Sequence, residues 1–319
     1  MKNWRIVSLS LCFAVCLAFT LSASGTAESG SDDIVIGISV IGAEHNWDIN
    51  AYNGAQDRAK ELGMKVLAFD GERRPEKQIA DVKSLIARKV DVIAVILGDV
   101  ESLSPVLKEA RDAGIPVVTA DFDNPYTLSN VSTDNRAAMA ALVEQMVADM
   151  NQKGEVGIFY TPGIPVAELR YEVFNNVLDA YPQVKVVAQE AWQFPNVTPD
   201  AYEKSKDMLT AHPEIDAFWT VFDMPMIGAA QAIADKGMQA DVKTYGFDGD
   251  PTAMKMIQDP DSAYAATVAQ QPYIIGQKLA EVAKQVAEGE TVEREIFVDH
   301  ILVTRDNVDE VFNSLPQYK

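Results

Sequence analysis

Cysteine is almost missing from this 319-residue chain: its two copies, Cys12 and Cys16, both fall inside one apolar stretch, residues 6–21. Neither stands at the end of a Leu-x-small-Cys lipidation pattern. Lys2 and Arg5 precede the stretch and Gly25-Thr26-Ala27 follow it. That is the layout of an export signal, and the apolar run is shorter than a membrane span. A signal peptide over residues 1–27, cleaved near Ala27, is the expectation, with a membrane anchor as the alternative. The mature chain then carries no thiol, which excludes disulfides and cysteine catalysis and points to the periplasm of a bacterial envelope.

Histidine and positive charge are also scarce. His45, His212 and His300 are the three histidines, and their spacing resembles no metal site. Against 47 acidic residues there are 27 Lys and Arg, for a formal charge of -20. Such a chain is repelled overall by nucleic acid and by anionic membranes. The longest basic cluster, Arg73-Arg74, is diluted by Glu72 and Glu76. There is no G-x-S-x-G elbow, no G-x-x-x-x-G-K phosphate loop and no EF-hand spacing. No cofactor or nucleic-acid partner is therefore expected, and no residue spacing points to a metal ligand set.

What is present is a rhythm. With 48% hydrophobic residues the chain is long enough for two domains with cores of their own. Residues 34–40 form a nearly unbroken apolar strand of the kind buried on both faces in parallel sheets. Helices are expected at 48–62, 75–88 and 102–113, two of them ended by Gly63 and Gly114, with strands at 64–69, 90–97 and 115–120 between and after them. After a short polar segment, 130–134, a second series follows. Its strands fall at 155–160, 184–190, 215–220, 242–245 and 263–269, and its helices at 136–150, 167–180, 199–211, 226–236 and 252–258. Residues 273–287 read as a helix able to face either unit, 294–303 as one further segment, and 307–315 as a terminal helix. Alternating strands and helices of this length are solved by parallel sheets with right-handed crossovers. The spacing permits three crossings between two units, near residues 132, 269 and 300.

The candidate site residues stand at strand ends, where open α/β sheets bind ligands. Asp121 and Asp248 end strands in different units, and each can accept hydrogen bonds from two hydroxyls. The alternative for both is to cap the next helix or turn. Asp223 precedes a helix, so capping competes harder there. Asp123 is read as a neighbour that orients other groups. Arg170 lies between apolar Leu169 and Val173, so its five donors need oxygen partners, in a ligand or in a salt bridge between the units. Gln270 can donate and accept near a hinge. Trp47 is the candidate stacking ring for an apolar ligand face, with Phe222 and Phe247 as the opposing wall, buttressing of the sheet being the alternative for Phe247. Asn46 and His45 face the same cleft, while Trp192 and Phe194 are placed at its rim. His45 with Asp121 or Asp248, or the two aspartates as a glycosidase pair, would make a carbohydrate-active hydrolase. Binding without chemistry is the simpler account, and the chain is not expected to be an enzyme.

Several stretches resemble one family. Asn53-Gly54-Ala55-Gln56 with Glu61-Leu62-Gly63, the run from Gly114 to Asp121, Val131-Ser132-Thr133-Asp134-Asn135, Arg170, Gly246-Phe247-Asp248-Gly249 and the run from Ala266 to Pro272 occur in order. Together they are similar to the ribose-binding-like branch of the periplasmic sugar-binding proteins of ABC importers. The resemblance implies a type I periplasmic binding protein: an α/β fold of two doubly wound parallel-sheet lobes joined by a three-strand hinge. Its expected lobes are residues 34–132 plus 270–300 and residues 133–269 plus 301–319, the terminal segment fitting either. Ser132-Thr133-Asp134, Ala269-Gln270 and His300-Ile301 are the expected hinge.

The implied function is reversible capture of a small neutral monosaccharide or sugar alcohol by a monomer, for delivery to an inner-membrane permease. Three departures stand out. Phe122 follows Asp121 where ribose-like members carry arginine, Phe222 replaces an asparagine, and His45-Asn46-Trp47 replaces an Asn-Pro-Phe-Phe type of loop. Rings in place of polar forks argue against ribose itself. A sensor that reports to a membrane receptor, or a binder of a small cationic solute, are the alternative functions within the same fold.

Overall fold

The computed structural model describes Met1, residues 33–193 and residues 195–318. Apart from Met1, the expected signal segment and its cleavage point lie outside the described residues, as does Phe194.

The chain opens with β1 (Val35–Val40), α1 (Asn46–Glu61), β2 (Lys65–Asp70), α2 (Pro75–Ala87), β3 (Val92–Ile96), α3 (Val100–Asp112), β4 (Val117–Ala120) and β5 (Ser129–Thr133). It continues through α4 (Asn135–Asp149), β6 (Gly154–Phe159), α5 (Pro165–Leu178), β7 (Val184–Glu190), α6 (Val197–Ala211), β8 (Ile215–Thr220) and α7 (Asp223–Asp235). The last part holds β9 (Lys243–Asp248), α8 (Pro251–Gln258), β10 (Tyr264–Ala269), α9 (Pro272–Ala287), β11 (Glu295–Val298), β12 (Ile301–Thr304) and α10 (Val308–Ser314).

These strands form two six-stranded sheets. One has the order β11-β5-β4-β3-β1-β2 and is parallel throughout. The other has the order β12-β10-β9-β8-β6-β7, parallel except for β12, which runs antiparallel to β10 at the edge. Burial of β1, β3 and β4 on both faces explains why their sequences are continuous apolar runs and not alternating ones. The chain changes sheet after β5, after β10 and between β11 and β12.

Three segments differ from their sequence reading. Residues 294–303 are two strands in different sheets, β11 and β12, separated by Asp299 and His300. The polar stretch around Asn130 is a buried strand, β5, in which Asn130 Nδ2 donates to Glu295, Asn130 Oδ1 accepts from the Phe122 amide and Thr133 Oγ1 donates to Gln270, while the Ser129 hydroxyl has no partner among the described residues. β9 does not stop at Tyr245 but runs through Gly246 to Asp248.

Helix α9 belongs with the first sheet. It packs along α1, where a side chain on Gly54 would strike the Tyr273 carbonyl and one on Gly276 the Ala51 carbonyl. Two glycines thus let the helix backbones touch and pin α9 to α1. The first lobe then has a layer on each face of its sheet. On one side Ile36, Ile38 and Ile96 pack against Ile275 and Leu279, and on the other Ile93 and Val95 pack against Leu85 and Leu107. The second lobe has one continuous core that includes Phe159, Phe174, Trp219 and Tyr245.

Candidate functional site

The C-terminal ends of both sheets face a cleft of about 410 Å³. Leu97 and Gly98 after β3, Asp121 after β4, Phe222 after β8, Asp248 and Gly249 at β9, and Gln270 after β10 all line it. Several hold unusual backbone: Leu97 (φ 54), Asp121 (φ 51) and Asp248 (φ 133) are non-glycine residues with positive φ. Strain of this kind costs free energy and persists where neighbours over-determine the conformation, often at binding sites.

Arg170 is the centre of the second lobe's wall. Only 1% exposed, it is placed by α5 and fastened on three sides. Its Nε and Nη2 donate to Asn135 Oδ1 at 2.9 and 2.7 Å, and its Nη1 donates to the Val221 carbonyl at 2.9 Å. Its guanidinium carbon lies 3.7 Å from the centre of the Phe247 ring. Nη1 is also 3.5 Å from Asp248 Oδ1. The cation has enough buried partners to stay fixed and still has N–H groups to spare, because it carries five donors. Burial lowers its pKa, and the charges of Asp248 and Asp121 push it back up.

Asp248 accepts from Gln270 Nε2 at 2.9 Å, and Gln270 Oε1 in turn accepts from Thr133 Oγ1 at 3.0 Å. Gln270 is 2% exposed, so it ties β10, β5 and Asp248 into one network at the crossing. Burial holds Asp248 well above the usual carboxylate range, opposed by Arg170. Asp121 is different. Among the described residues none donates to its carboxylate, and burial raises its pKa to about 6 against the pull of Arg170. The charges of two carboxylates from opposite lobes therefore both act on one arginine, and one of them, Asp121, accepts no hydrogen bond among the described residues. Such an arrangement leaves a carboxylate able to accept hydrogen bonds from a donor in the cleft.

The other candidates divide. His45, Asn46 and Trp47, at the start of α1, all line the cleft, with Trp47 half-buried against the first lobe's core. Asn46 Oδ1 accepts from Asn50 at 3.1 Å. Burial lowers the His45 pKa, with Arg73 acting in the same direction, so its ring is neutral at physiological pH. Phe222 and Trp192 line the opposite wall, edge to face at 5.8 Å. Ile164, Val166, Val197 and Met224 make the rest of that wall apolar.

Phe247 and Asp123 do not line the cleft, and neither does Phe122. Phe247 is fully buried beneath Arg170 and is a platform for it, not a cleft wall. It precedes Asp248 on a strand, so the two side chains point to opposite faces. Phe122 is 3% exposed in the first lobe's core, among Leu103 and Val117, and does not line the cleft. Asp123 also lies outside the cleft, where its carboxylate is ion-paired with Arg294.

Asp223 reaches the cleft, but its oxygens are occupied and it does not cap its helix. Oδ1 accepts from Tyr264 Oη at 2.6 Å and Thr267 Oγ1 at 2.7 Å, and Oδ2 from the Asp250 amide at 2.7 Å. Burial still leaves its pKa at about 6. This explains Gly246: a side chain there would collide with Tyr264 Oη and Asp223 Oδ1. Glycine in that strand marks a close approach rather than a turn.

Sequence reasoning missed Asp48 and Arg73, which line the cleft as an ion pair on the first lobe. A signal for Asp48 existed: it immediately follows His45-Asn46-Trp47. Arg73 looked like part of a solvated surface cluster.

Among the described residues no group of three or more His, Cys, Asp or Glu is arranged to hold a metal ion, and no helix is long and apolar enough to cross a membrane. Two α/β lobes with a cleft at the strand ends of both, crossed three times by the chain, define a two-lobe solute-binding protein. The periplasmic binding protein domain model matches residues 36–291, and the chain belongs to that family. It is 30% identical over 302 residues to the ribose import binding protein RbsB of Salmonella typhimurium, covering 93% of this chain and 97% of the relative. Among solved structures, an ABC transporter solute-binding protein from Agrobacterium vitis with bound allitol is 36% identical, with a TM-score of 0.82 over 89% of this chain and 99% of that one. An ABC sugar transporter subunit from Rhodobacter sphaeroides is also 36% identical, with a TM-score of 0.80 over 86% and 99%.

Proposed function

We propose that this protein is the solute-binding component of an ABC importer and that it holds a small neutral monosaccharide or sugar alcohol between its lobes. The observation that carries the reading is that Asp121 from one lobe and Arg170 and Asp248 from the other line one cleft, with the fixed guanidinium 3.5 Å from Asp248 and both carboxylates acting on its charge. Hydroxyl groups are the ligand chemistry that suits it, since each donates to a carboxylate and accepts from arginine. Trp47, Phe222 and Trp192 offer faces for the C–H side of a carbon chain or ring. The ribose import and allitol-bound relatives support the same class.

The lobes in this proposal are residues 34–132 with 270–300 and residues 133–269 with 301–319. Closure bends the Ser132–Asp134, Ala269–Gln270 and His300–Ile301 crossings. Ligand must prefer the closed form for closure to be signalled. The protein works outside the cytoplasm, as its family does. Export by residues 1–27 with cleavage near Ala27, a monomeric state and delivery to an inner-membrane permease belong to the proposal.

A thermal-shift screen of the mature protein against pentoses, hexoses, four- to six-carbon polyols and quaternary amines tests it. A selective upward shift with a sugar or polyol is expected, because only a ligand that prefers the folded state raises the melting temperature. A shift confined to amines would replace the polyol reading with a cation cage.

A further inference from the structure

We infer that Asp48 and Arg73 form a second polar anchor, which reads the terminal hydroxyl of an extended polyol at the end of the cleft remote from the crossings. The inference rests on the polyol reading above and names the part of the ligand these residues recognise. In the first sheet Asp121 follows β4, and moving away from β5 the next strands are β3, β1 and β2. Asp48 sits in α1, which follows β1, and Arg73 sits in the loop after β2. Neighbouring strands are about 4.8 Å apart, so at the backbone the loop after β1 that leads to Asp48 stands about 10 Å along the sheet edge from Asp121 and the loop after β2 about 14 Å, and the Asp121 charge still acts on Asp48. A ligand gripped by Asp121, Arg170 and Asp248 must extend along that edge to meet the pair.

The pair is built and not incidental. Arg73 Nη2 is ion-paired with Asp48, and its Nε is 3.0 Å from Glu44 Oε1. The loop that delivers Arg73 takes two consecutive non-glycine residues through positive φ, Glu72 (φ 53) and Arg73 (φ 52). It is held by the Arg73 amide donating to the Ile41 carbonyl at 2.7 Å. A side chain on Gly42 would collide with Arg73, so the approach depends on glycine. Asp48 has a side chain only 5% exposed, yet it lines the cleft. Its Oδ1 and the Arg73 Nη1 have no hydrogen-bond partner among the described residues. One acceptor and one donor side by side match a hydroxyl, which is both.

Across the cleft, Ile164, Val166 and Trp192 follow β6 and β7, the corresponding strands of the second sheet, and offer no polar side chain except the Trp192 indole. The far end of the ligand is therefore read from the first lobe.

Calorimetry with four-, five- and six-carbon alditols on wild type, Asp48→Asn and Arg73→Gln tests this. Wild type is expected to favour the longer alditols. Each variant should lose about tenfold or more for the six-carbon alditol, because hydrogen bonds to charged groups are the strong ones, and stay within about twofold for the four-carbon one. Thermal melts establish that each variant is folded, and either variant alone suffices. Equal losses at every length, or wild-type selectivity retained in a folded variant, overturn the anchor and leave the function standing. Wild-type binding of ring sugars but no alditol has the same meaning. Wild-type binding of neither overturns the polyol reading itself.

Discussion

Asp121→Asn should make the ligand-free protein more stable and a poorer binder. The substitution keeps the shape and the positive φ, which asparagine tolerates well, and removes only the charge. A carboxyl held at about 6 in place of its ordinary 3.8 costs the ionised fold about 3 kcal/mol at neutral pH if nothing screens it. Asp121 is partly open to the cleft, so solvent screening reduces the expected gain to about 1–2 kcal/mol. In the complex the same charge accepts hydroxyl donors, and replacing it with an amide oxygen should cost about 2 kcal/mol, or roughly thirtyfold in affinity. Thermal or urea melts of the free protein at pH 7.5 and calorimetry with the preferred ligand measure the two halves. A variant that binds like wild type removes Asp121 from the site. A variant that binds poorly and is also less stable when free would show that Asp121 has a structural partner, refuting the account of an unsatisfied carboxylate.

Arg170→Met should destabilise the fold by about 3 kcal/mol or more and abolish binding, since Asp248 and Asn135 lose the buried cation that satisfies them. Urea melts check this, and near-normal stability would contradict it. Asp223→Asn places an amide N–H where three donors already converge, so a loss of about 2 kcal/mol is expected in the same melts even without ligand. Stability of the free protein should fall as pH rises from about 4 towards 7. Asp121 and Asp223 at about 6 and Asp48 at about 7 bind protons more tightly when folded than unfolded. Their contribution is fully present below pH 4 and lost through the folded values. A pH series of melting temperatures reads this, most clearly as a difference between wild type and the Asp48→Asn variant, in which one of the three groups is gone.

The fold was legible because its strands are long, apolar and separated by glycine-ended helices, a pattern with few solutions. The same regularity made strand-end residues such as Asp121, Asp248 and Gln270 visible as candidates, and the structure brings them to one cleft. What a strand hides is which face a side chain takes. Phe247 and Asp248 are adjacent, yet one supports Arg170 from below and the other faces the cleft. Two residues beyond Asp121, outside the strand, Asp123 turns away to Arg294. Arg73 was hidden for another reason. Its position depends on a left-handed loop of ordinary residues, and no propensity marks Glu72 or Arg73 for that conformation. The sheet change between β11 and β12 was likewise blurred, because two short strands separated only by Asp299 and His300 read as one.

The most direct test of the central claim is a crystal structure of the mature protein with its preferred sugar or polyol. The account predicts ligand hydroxyls within hydrogen-bonding distance of Asp121 from one lobe and of Arg170 and Asp248 from the other, with carbon atoms against Phe222 or Trp47. A ligand bound away from these residues, or a charged amine seated between the two carboxylates, would contradict it.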